Sequence, residues 1–297
     1  MKLFISWYPD PPDPSYWRWF KIDGLLVSLY NFRRRLLRKA STIGLHRFTT
    51  FPGEIILDAG SLAFGRSPPR FTQTEVLSLQ QWLESNIVTQ IDRPFVGLQD
   101  ASEKHKQSLL TASMVNAEIA RRWEKTHQTK IMYVIQGWNL ESYATSAECL
   151  SNLGGSRFGI GSLKSTGLDR SLEILRLVRS SIGSSASLHL FGVCDPRKLR
   201  QFAPYVDSVD SSLPIKASFN KEIFDPLSMD RMTIRSVRSI HACPCPVCAK
   251  VGNKVYIQGL SGNARIVNSL RAIHNAYLLT QLAHTLKRSD HTASPHK

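Results

Sequence analysis

Three cysteines and a distant histidine form the most specific chemical pattern in this sequence. Cys243, Cys245 and Cys248 lie within six residues, and the prolines between them favour a tight loop over a helix. Three thiolates and one imidazole make a closed tetrahedral zinc site. His274, in a strongly helical stretch, is the favoured fourth ligand, and His241 is the alternative. The pattern predicts a structural zinc ion.

A second group of candidate functional residues follows short apolar runs that we interpret as strands. Its members are Asp58, Asp100, Gln136, Gly161 and Asp210. In a parallel barrel, catalytic groups come from the carboxyl ends of several strands and meet on one face. We therefore expect these residues to surround a single site.

Seven candidate strands alternate with helical stretches over about 190 residues, and this alternation indicates parallel βαβ units. The strands are expected at residues 24–30, 54–58, 94–99, 130–136, 157–161, 187–193 and 205–210. Thr72 and Glu75 have the spacing of a capping box and predict the start of a helix. No G-x-G-x-x-G sequence follows the first strand, which disfavours a doubly wound dinucleotide-binding sheet. We predict an α/β fold of the (β/α)8 TIM-barrel type.

The expected domain layout is one barrel with a small zinc subdomain. Residues 1–23, rich in proline and aromatic side chains, are expected to form an N-terminal arm. The barrel takes residues 24–230 and 254–286, the zinc subdomain lies at about 231–286, and residues 287–297 form a tail.

Charge and composition narrow the choice of partner. The chain has 38 Lys+Arg and 23 Asp+Glu, a net charge of +15, which favours nucleic acid, with an anionic membrane surface or simple solubility as alternatives. The arginines and lysine of residues 33–39 could contact phosphates or form a solvated helix face. No apolar run is long enough to span a membrane and no signal peptide is recognisable, so we expect a cytoplasmic protein.

The sequence resembles the tRNA-guanine transglycosylase superfamily over roughly residues 25–286. The cysteine motif followed by Ile273-His274-Asn275 is similar to the zinc signature of that family. Four further segments resemble family motifs in the same order: residues 57–61 the D-S-G-G segment, 134–137 the V-Q-G segment, 160–163 the I-G-G-L segment and 208–214 the F-D-x-x-L-P segment. The family's fold is a (β/α)8 barrel with a zinc subdomain, in agreement with the strand pattern.

The resemblance implies a base exchange in which a guanine of a polynucleotide is replaced by a 7-deazaguanine. Asp210 would be the nucleophile and Asp58 the general acid–base, although Asp207 or Asp210 could instead cap a helix or pair with an arginine. The implied base-binding residues are Asp100 (with Asp92 as the less favoured alternative), Gln136, Gly161, Ser162 and Leu163. The target base must leave any stack to reach such a site.

Departures from the family pattern bear on the substrate. Ser162 stands where the family has a second glycine, residues 58–61 read D-A-G-S, and no paired arginines follow Lys216. These changes and the compact length resemble the DNA-modifying branch, which places 7-deazaguanines such as preQ0-type bases in DNA. DNA is therefore the favoured partner and tRNA the alternative. A non-catalytic nucleic-acid-binding subunit is a third possibility, and a homodimer or partner proteins of a modification system remain open.

Overall fold

Eight short apolar strands pair in chain order and close into a parallel barrel in this computed structural model, which describes residues 1–64, 71–163, 166–192, 195–235, 242–255 and 264–286. Closure is made by β1 against β8, with Phe4 opposite Asp210. The barrel strands are β1 (Lys2–Ser6), β2 (Gly24–Ser28), β3 (Glu54–Asp58), β4 (Ile87–Thr89), β5 (Ile131–Ile135), β6 (Arg157–Ile160), β7 (Ser187–Leu190) and β8 (Ser208–Ser211). The predicted TIM barrel is confirmed.

Helices follow the strands and pack outside the barrel. In the described part of the chain they are α1 (Arg34–Ile43), α2 (Leu45–Thr49), α3 (Ser61–Phe64), α4 (Gln73–Trp82), α5 (Glu103–Thr126), α6 (Leu140–Asn152), α7 (Leu168–Ile182), α8 (Pro196–Phe202), α9 (Leu213–Phe219), α10 (Pro246–Val255) and α11 (Ala264–Thr285). Helix α4 begins with the capping box predicted at Thr72 and Glu75. None of these helices has the length and apolarity needed to cross a bilayer.

Strand periodicity builds two layers inside the barrel. The lower layer is apolar and is made by Phe4, Leu26, Ile56, Ile87 and Met132. Side chains two positions further along a strand point to the same face. On the first four strands those positions are Ser6, Ser28, Asp58 and Thr89. An apolar floor therefore supports a polar layer at the carboxyl end of the barrel, which we call the mouth.

The prediction of an N-terminal arm at residues 1–23 is wrong for Lys2–Ser6. Lys2–Ser6 is a barrel strand that pairs with both β2 and β8, so these residues belong to the barrel and not to an arm. Four of the five residues in the run KLFIS are buried. The prolines and aromatic residues that follow this run hide its strand pattern in the sequence. The other expected domain boundaries stay predictions, and the tail at 287–297 lies outside the described residues.

The strand expected at residues 94–99 is also wrong. The fourth strand is Ile87–Thr89, and residues 94–99 form turns in which the Leu98 N–H donates to the Phe95 carbonyl. Pro94 has no N–H to donate to a ladder, and Gly97 has a φ of +75°. This shift moves the end of the fourth strand from Asp100 to the vicinity of Asp92.

A small subdomain follows β8 and lies against the last helix. The antiparallel pair β9 (Glu222–Phe224) and β10 (Arg231–Thr233) comes after α9. Helix α11 packs against α9, β9 and β1, and the amino group of Met1 donates to the carbonyl of Leu286. The last helix therefore ties the cysteine-bearing segment to the barrel.

Candidate active site and metal centre

Asp210 is buried at the mouth and is held by three groups, one from β1 and two from β7 and the turn after it. Its Oδ2 accepts a hydrogen bond from the Ser6 hydroxyl at 2.7 Å. Its Oδ1 accepts from the Gly192 N–H at 2.8 Å and lies 3.4 Å from Nε2 of His189. Donors on both oxygens fix the orientation of the side chain. Oδ2, with a single short contact, is the less constrained oxygen.

Asp58 faces the same opening from β3. Its Oδ2 accepts from the Gly60 N–H at 3.0 Å, and the hydroxyl of Ser28 also donates to it. Burial is the largest cause, and together with the negative charges of Asp92 and Asp210 it raises the pKa of Asp58 to about 7, against the opposing effect of these hydrogen bonds. A carboxyl group with this pKa can both donate and accept a proton near neutral pH.

Asp92 is the third carboxylate at the mouth and lies just after β4. It is buried, and burial raises its pKa, while hydrogen bonds from Ser61 and Gln136 oppose that increase. Nε2 of Gln136 donates to Oδ2 of Asp92 at 2.5 Å. We call this group the carboxylate site; it consists of Asp58, Asp92 and Asp210.

A directed chain of hydrogen bonds fixes the amide of Gln136. The Phe95 N–H donates to Oγ of Ser162 at 2.9 Å, so the Ser162 hydroxyl directs its own proton to Oε1 of Gln136 at 2.6 Å. With Oε1 occupied as an acceptor, the amide NH2 is the group that faces Asp92. The amide orientation therefore follows from donor and acceptor counting.

Gly161 and Ser162 shape this part of the site through the backbone. A Cβ on Gly161 would lie 2.3 Å from Nε2 of Gln136, so only glycine leaves room for the amide. Ser162 has a φ of +64°, a left-handed conformation that is uncommon for residues other than glycine. The Gly161 carbonyl accepts from the Tyr143 hydroxyl, and Leu163 is buried beside it.

The structure brings most of the expected site residues together. Asp58, Gln136, Gly161, Ser162 and Asp210 all lie at the mouth and are linked by the contacts above. Asp100 does not join them, because it is exposed in the turn before α5. The less favoured alternative, Asp92, makes the contact with Gln136. Asp207 lies apart and pairs with Arg179 at 2.8 Å.

Sequence reasoning missed Ser6 and His189. Ser6 ends the strand that was expected to be an arm. His189 is fully buried in β7, with Nδ1 2.9 Å from the Ser208 hydroxyl. A histidine inside the apolar run SLHLFGV was the available signal, since a buried polar side chain needs partners.

The three cysteines and His274 form the second buried cluster, which we call the Cys₃His cluster. Nδ1 of His274 lies 3.6 Å from Sγ of Cys243, 3.4 Å from Sγ of Cys245 and 3.5 Å from Sγ of Cys248. A tetrahedral zinc ion with bonds of about 2.3 Å to sulfur and 2.0 Å to nitrogen places these atoms about 3.5 Å apart. The donor set and its spacing fit a structural zinc ion, as predicted.

Neighbouring residues orient the histidine for such an ion. Nε2 of His274 donates to the Phe224 carbonyl at 2.9 Å, which leaves Nδ1 as the metal-binding atom. The adjacent Asn275 accepts from the Phe224 N–H at 3.0 Å. Both backbone groups of Phe224 are thus bound by consecutive residues of α11. The alternative ligand His241 lies outside the described residues.

Comparison with known proteins places this geometry in a family. The sequence model described as queuine tRNA-ribosyltransferase matches residues 22–289. The chain is 22% identical over 223 residues to a DNA-guanine transglycosylase of Salmonella montevideo, covering 71% of this chain and 54% of that protein. It is 23% identical over 303 residues to a queuine tRNA-ribosyltransferase of Helicobacter pylori strain G27, covering 88% and 80%.

A third relative is a tRNA-guanine(15) transglycosylase of Aeropyrum pernix, 25% identical over 286 residues, which cover 89% of this chain and 52% of that protein. The chain thus spans about half the length of the Salmonella and Aeropyrum proteins. The family match covers both the carboxylate site and the Cys₃His cluster. On the strength of that match, the chain belongs to the queuine tRNA-ribosyltransferase family.

Proposed function

We propose that this protein exchanges a guanine base in DNA for a 7-deazaguanine through a covalent intermediate on Asp210. The observation that carries the proposal is the meeting of three carboxylates with different surroundings at one barrel mouth. Asp210 is oriented by donors on both oxygens, whereas Asp58 has a pKa raised to about 7 by burial and by its acidic neighbours. Two carboxyl groups in such different environments can take different roles, with Asp210 as the nucleophile and Asp58 as the general acid–base.

In the first step, an oxygen of Asp210 bonds to C1′ of the target nucleotide as the bond from C1′ to N9 of guanine breaks. Positive charge develops on the sugar, and the carboxylate stabilises it as in retaining glycosidases. The electron pair of the broken bond passes to the base, which takes a proton from Asp58. We assign the attack to Oδ2, because Oδ1 accepts from Gly192 and also lies beside His189.

In the second step, N9 of the incoming 7-deazaguanine attacks C1′ and displaces Asp210. The incoming base loses its N9 proton to Asp58, which restores the starting protonation state. The Cys₃His cluster would hold a zinc ion, which would supply structural stability.

Asp92 and Gln136 are proposed to read the edge of the base. The fixed amide presents an N–H beside the carboxylate oxygens of Asp92. Guanine presents the matching pattern of a carbonyl acceptor next to two N–H donors, whereas adenine presents an amino donor next to an acceptor. The pair therefore favours guanine and 7-deazaguanine, which share this edge. Asp92 takes the role expected of Asp100.

DNA is the proposed polynucleotide and tRNA the second candidate. The Salmonella relative's name and the departures at Ser162 and after Lys216 support DNA. The Helicobacter and Aeropyrum relatives, which match more of the chain, support tRNA. We propose that the protein acts on nucleic acid in the cytoplasm. A homodimer or a complex with partner proteins is part of the same proposal.

The test is incorporation of radiolabelled guanine into duplex DNA, single-stranded DNA and unmodified tRNA by the purified protein. We expect label in DNA and a covalent protein–DNA adduct on denaturing gels. Asp210→Asn should lower exchange by at least about 10³-fold and abolish the adduct, because an amide cannot act as the nucleophile. Label in tRNA alone would select the second candidate.

Asp207→Asn is the matched control. It removes a carboxylate from the same segment, but one that pairs with Arg179 away from the mouth. Exchange per folded molecule should persist in this variant. If Asp210→Asn forms as much adduct as the wild type, or if the wild type exchanges no base in any substrate, the proposal is wrong.

A further inference from the structure

The segment of residues 24–53 has a strongly unbalanced charge. It carries Arg33, Arg34, Arg35, Arg38, Lys39 and Arg47, six cations, and no aspartate or glutamate. Six of the fifteen net positive charges therefore come from one βα unit. The segment includes β2, α1 and α2, and all six of these cations are exposed.

Helix α1 gathers four of these cations in an arrangement that is unfavourable without an anion. Arg34 and Arg38 are four residues apart, as are Arg35 and Lys39, so like charges face each other along the helix. The first turn contains no acidic residue, and no side chain caps the helix start, although helix N-termini favour negative charge. Both features weaken the isolated helix, and a bound anion would relieve both.

Few carboxylates offset this charge within the described residues. Asp10 contacts Nε of Arg33 at 2.5 Å. At the other end of the helix, the Glu84 carboxylate lies near Gly44. No ion pair is recorded for Arg34, Arg35, Arg38 or Lys39 among the described side chains. The four cations are therefore available to a partner.

The position of α1 connects this charge to the carboxylate site. Ser28, the last residue of β2, lies opposite Asp58 in the barrel register, and its hydroxyl donates to that carboxylate. Tyr30 follows, 59% exposed, with its Cβ against Gly60. Arg34 is six positions after Ser28, so the chain between them spans at most about 22 Å. Because α1 follows the carboxyl end of β2, its start lies at the mouth end of the barrel, next to the strand that carries the proposed general acid–base.

We infer that Arg34, Arg35, Arg38 and Lys39 form a binding surface for the sugar–phosphate backbone of the polynucleotide whose base enters the mouth. This inference rests on the proposed function and adds the path of the substrate across the protein. Each strand of B-form DNA carries one phosphate per about 3.4 Å of axis, so the contacted phosphates lie within roughly six nucleotides of the target base.

The test compares two variants that lose the same charge on opposite faces. Arg34→Ala/Arg35→Ala/Arg38→Ala removes three cations of α1, and alanine preserves the helix. Arg122→Ala/Lys125→Ala/Lys130→Ala removes three exposed cations around the end of α5 and the start of β5, which lie at the barrel face opposite the mouth. Binding of fluorescein-labelled 20-bp DNA, and of tRNA in a parallel arm, is measured by anisotropy at several salt concentrations.

We expect the α1 variant to bind at least about 10-fold more weakly at 0.1 M salt and to lose about two to three from the slope of log K against log salt, since each phosphate contact contributes about 0.9. Its kcat for exchange should be unchanged while KM rises, and its thermal midpoint should not fall. The opposite-face variant should keep a slope close to that of the wild type.

Two outcomes separate this inference from the proposed function. If the wild type exchanges guanine but both triple variants have the same salt slope, the α1 surface is not the binding surface and the proposed function stands. If the α1 variant alone loses slope while the wild type exchanges no base, the surface is supported and the proposed activity is wrong.

Discussion

The Cys₃His cluster and the carboxylate site are both buried groups of ionisable side chains, but their geometry differs in a way that separates structure from chemistry. The four atoms of the Cys₃His cluster converge on one point, with Nδ1 of His274 3.4–3.6 Å from each sulfur. The three carboxylates do not converge. Each is bound by hydroxyl, amide or backbone donors, and burial together with their mutual repulsion raises the pKa of Asp58.

The difference indicates that the Cys₃His cluster contributes to the stability of the fold, whereas the carboxylate site contributes to the reaction. One zinc ion neutralises the thiolates and completes the Cys₃His cluster, so binding of the metal stabilises the fold. In the carboxylate site no resident cation is needed to explain the contacts, and the excess negative charge faces the opening. A developing positive charge on a sugar carbon would relieve that repulsion during the reaction. Loss of a group should therefore destabilise the first site and inactivate the second.

The largest effect on stability is expected from Cys245→Ser. This fully buried thiol lies nearest to His274, and losing it breaks the tetrahedral donor set. We expect zinc content to fall well below one ion per chain and the free energy of unfolding to fall by about 3 kcal/mol or more. Metal analysis and thermal unfolding measure the two effects. Treatment of the wild type with a strong chelator should reproduce them.

Two variants calibrate this prediction. Cys149→Ser changes an exposed cysteine of α6 and should leave both zinc content and stability unchanged. Asn275→Ala removes the partner of the Phe224 N–H and should weaken zinc binding by about 10-fold without abolishing it. Full stability of Cys245→Ser without zinc would mean that the cluster does not have the structural role that its geometry indicates.

Asp58→Asn should show the opposite combination of effects, with activity lost and no loss of stability. Because the pKa of Asp58 is raised to about 7, the carboxyl is protonated at pH 6 and can protonate the leaving base. Wild-type adduct formation should therefore fall as pH rises through 7. Asp58→Asn should be slower by about 10²–10⁴-fold and should lack this pH dependence. Single-turnover adduct formation between pH 5.5 and 9 measures both.

The same shift makes a prediction about folding. The folded-state pKa of Asp58 lies above the unfolded value of 3.8, so the folded protein holds its proton more tightly and loses stability as pH rises from about 4 to 7. Asp58→Asn should therefore gain stability relative to the wild type at pH 8, and the gap should close near pH 4. If adduct formation by Asp58→Asn still fell as pH rose through 7, the group that titrates in the wild type would not be Asp58.

The two sites also differ in how well the sequence predicts them. Local spacing defines the metal ligands, because three cysteines share one loop and the histidine lies in a recognisable helix. Asp58 and Asp210 were predictable since each follows or ends an apolar run. The contact between Ser6 and Asp210 joins residues 204 positions apart, and no local pattern predicts it. The strand expected at residues 94–99 favours Asp100, because the actual strand β4 has only three residues and gives a weak signal for Asp92.

Ser162 offers the finest test of the comparison, because it acts in the carboxylate site through a hydroxyl rather than a charge. Its left-handed φ of +64° is unfavourable for serine, yet its hydroxyl binds both the Phe95 N–H and Oε1 of Gln136. Ser162→Ala and Ser162→Gly both remove the hydroxyl and free the amide of Gln136. We expect each to raise KM for guanine by about 10-fold, with a smaller change in kcat.

The two variants should differ in stability. This difference distinguishes the effect of backbone strain at Ser162 from the effect of its hydroxyl on the orientation of Gln136. Ser162→Gly relieves the backbone strain and should unfold close to the wild-type midpoint, whereas Ser162→Ala keeps the strain without the hydrogen bonds and should lose about 1 kcal/mol. Equal KM values in two variants of unequal stability would show that the hydroxyl acts by orienting Gln136. If KM follows stability instead, or if Ser162→Gly matches the wild type, Ser162 has only a structural role and the amide of Gln136 is oriented by Asp92 alone.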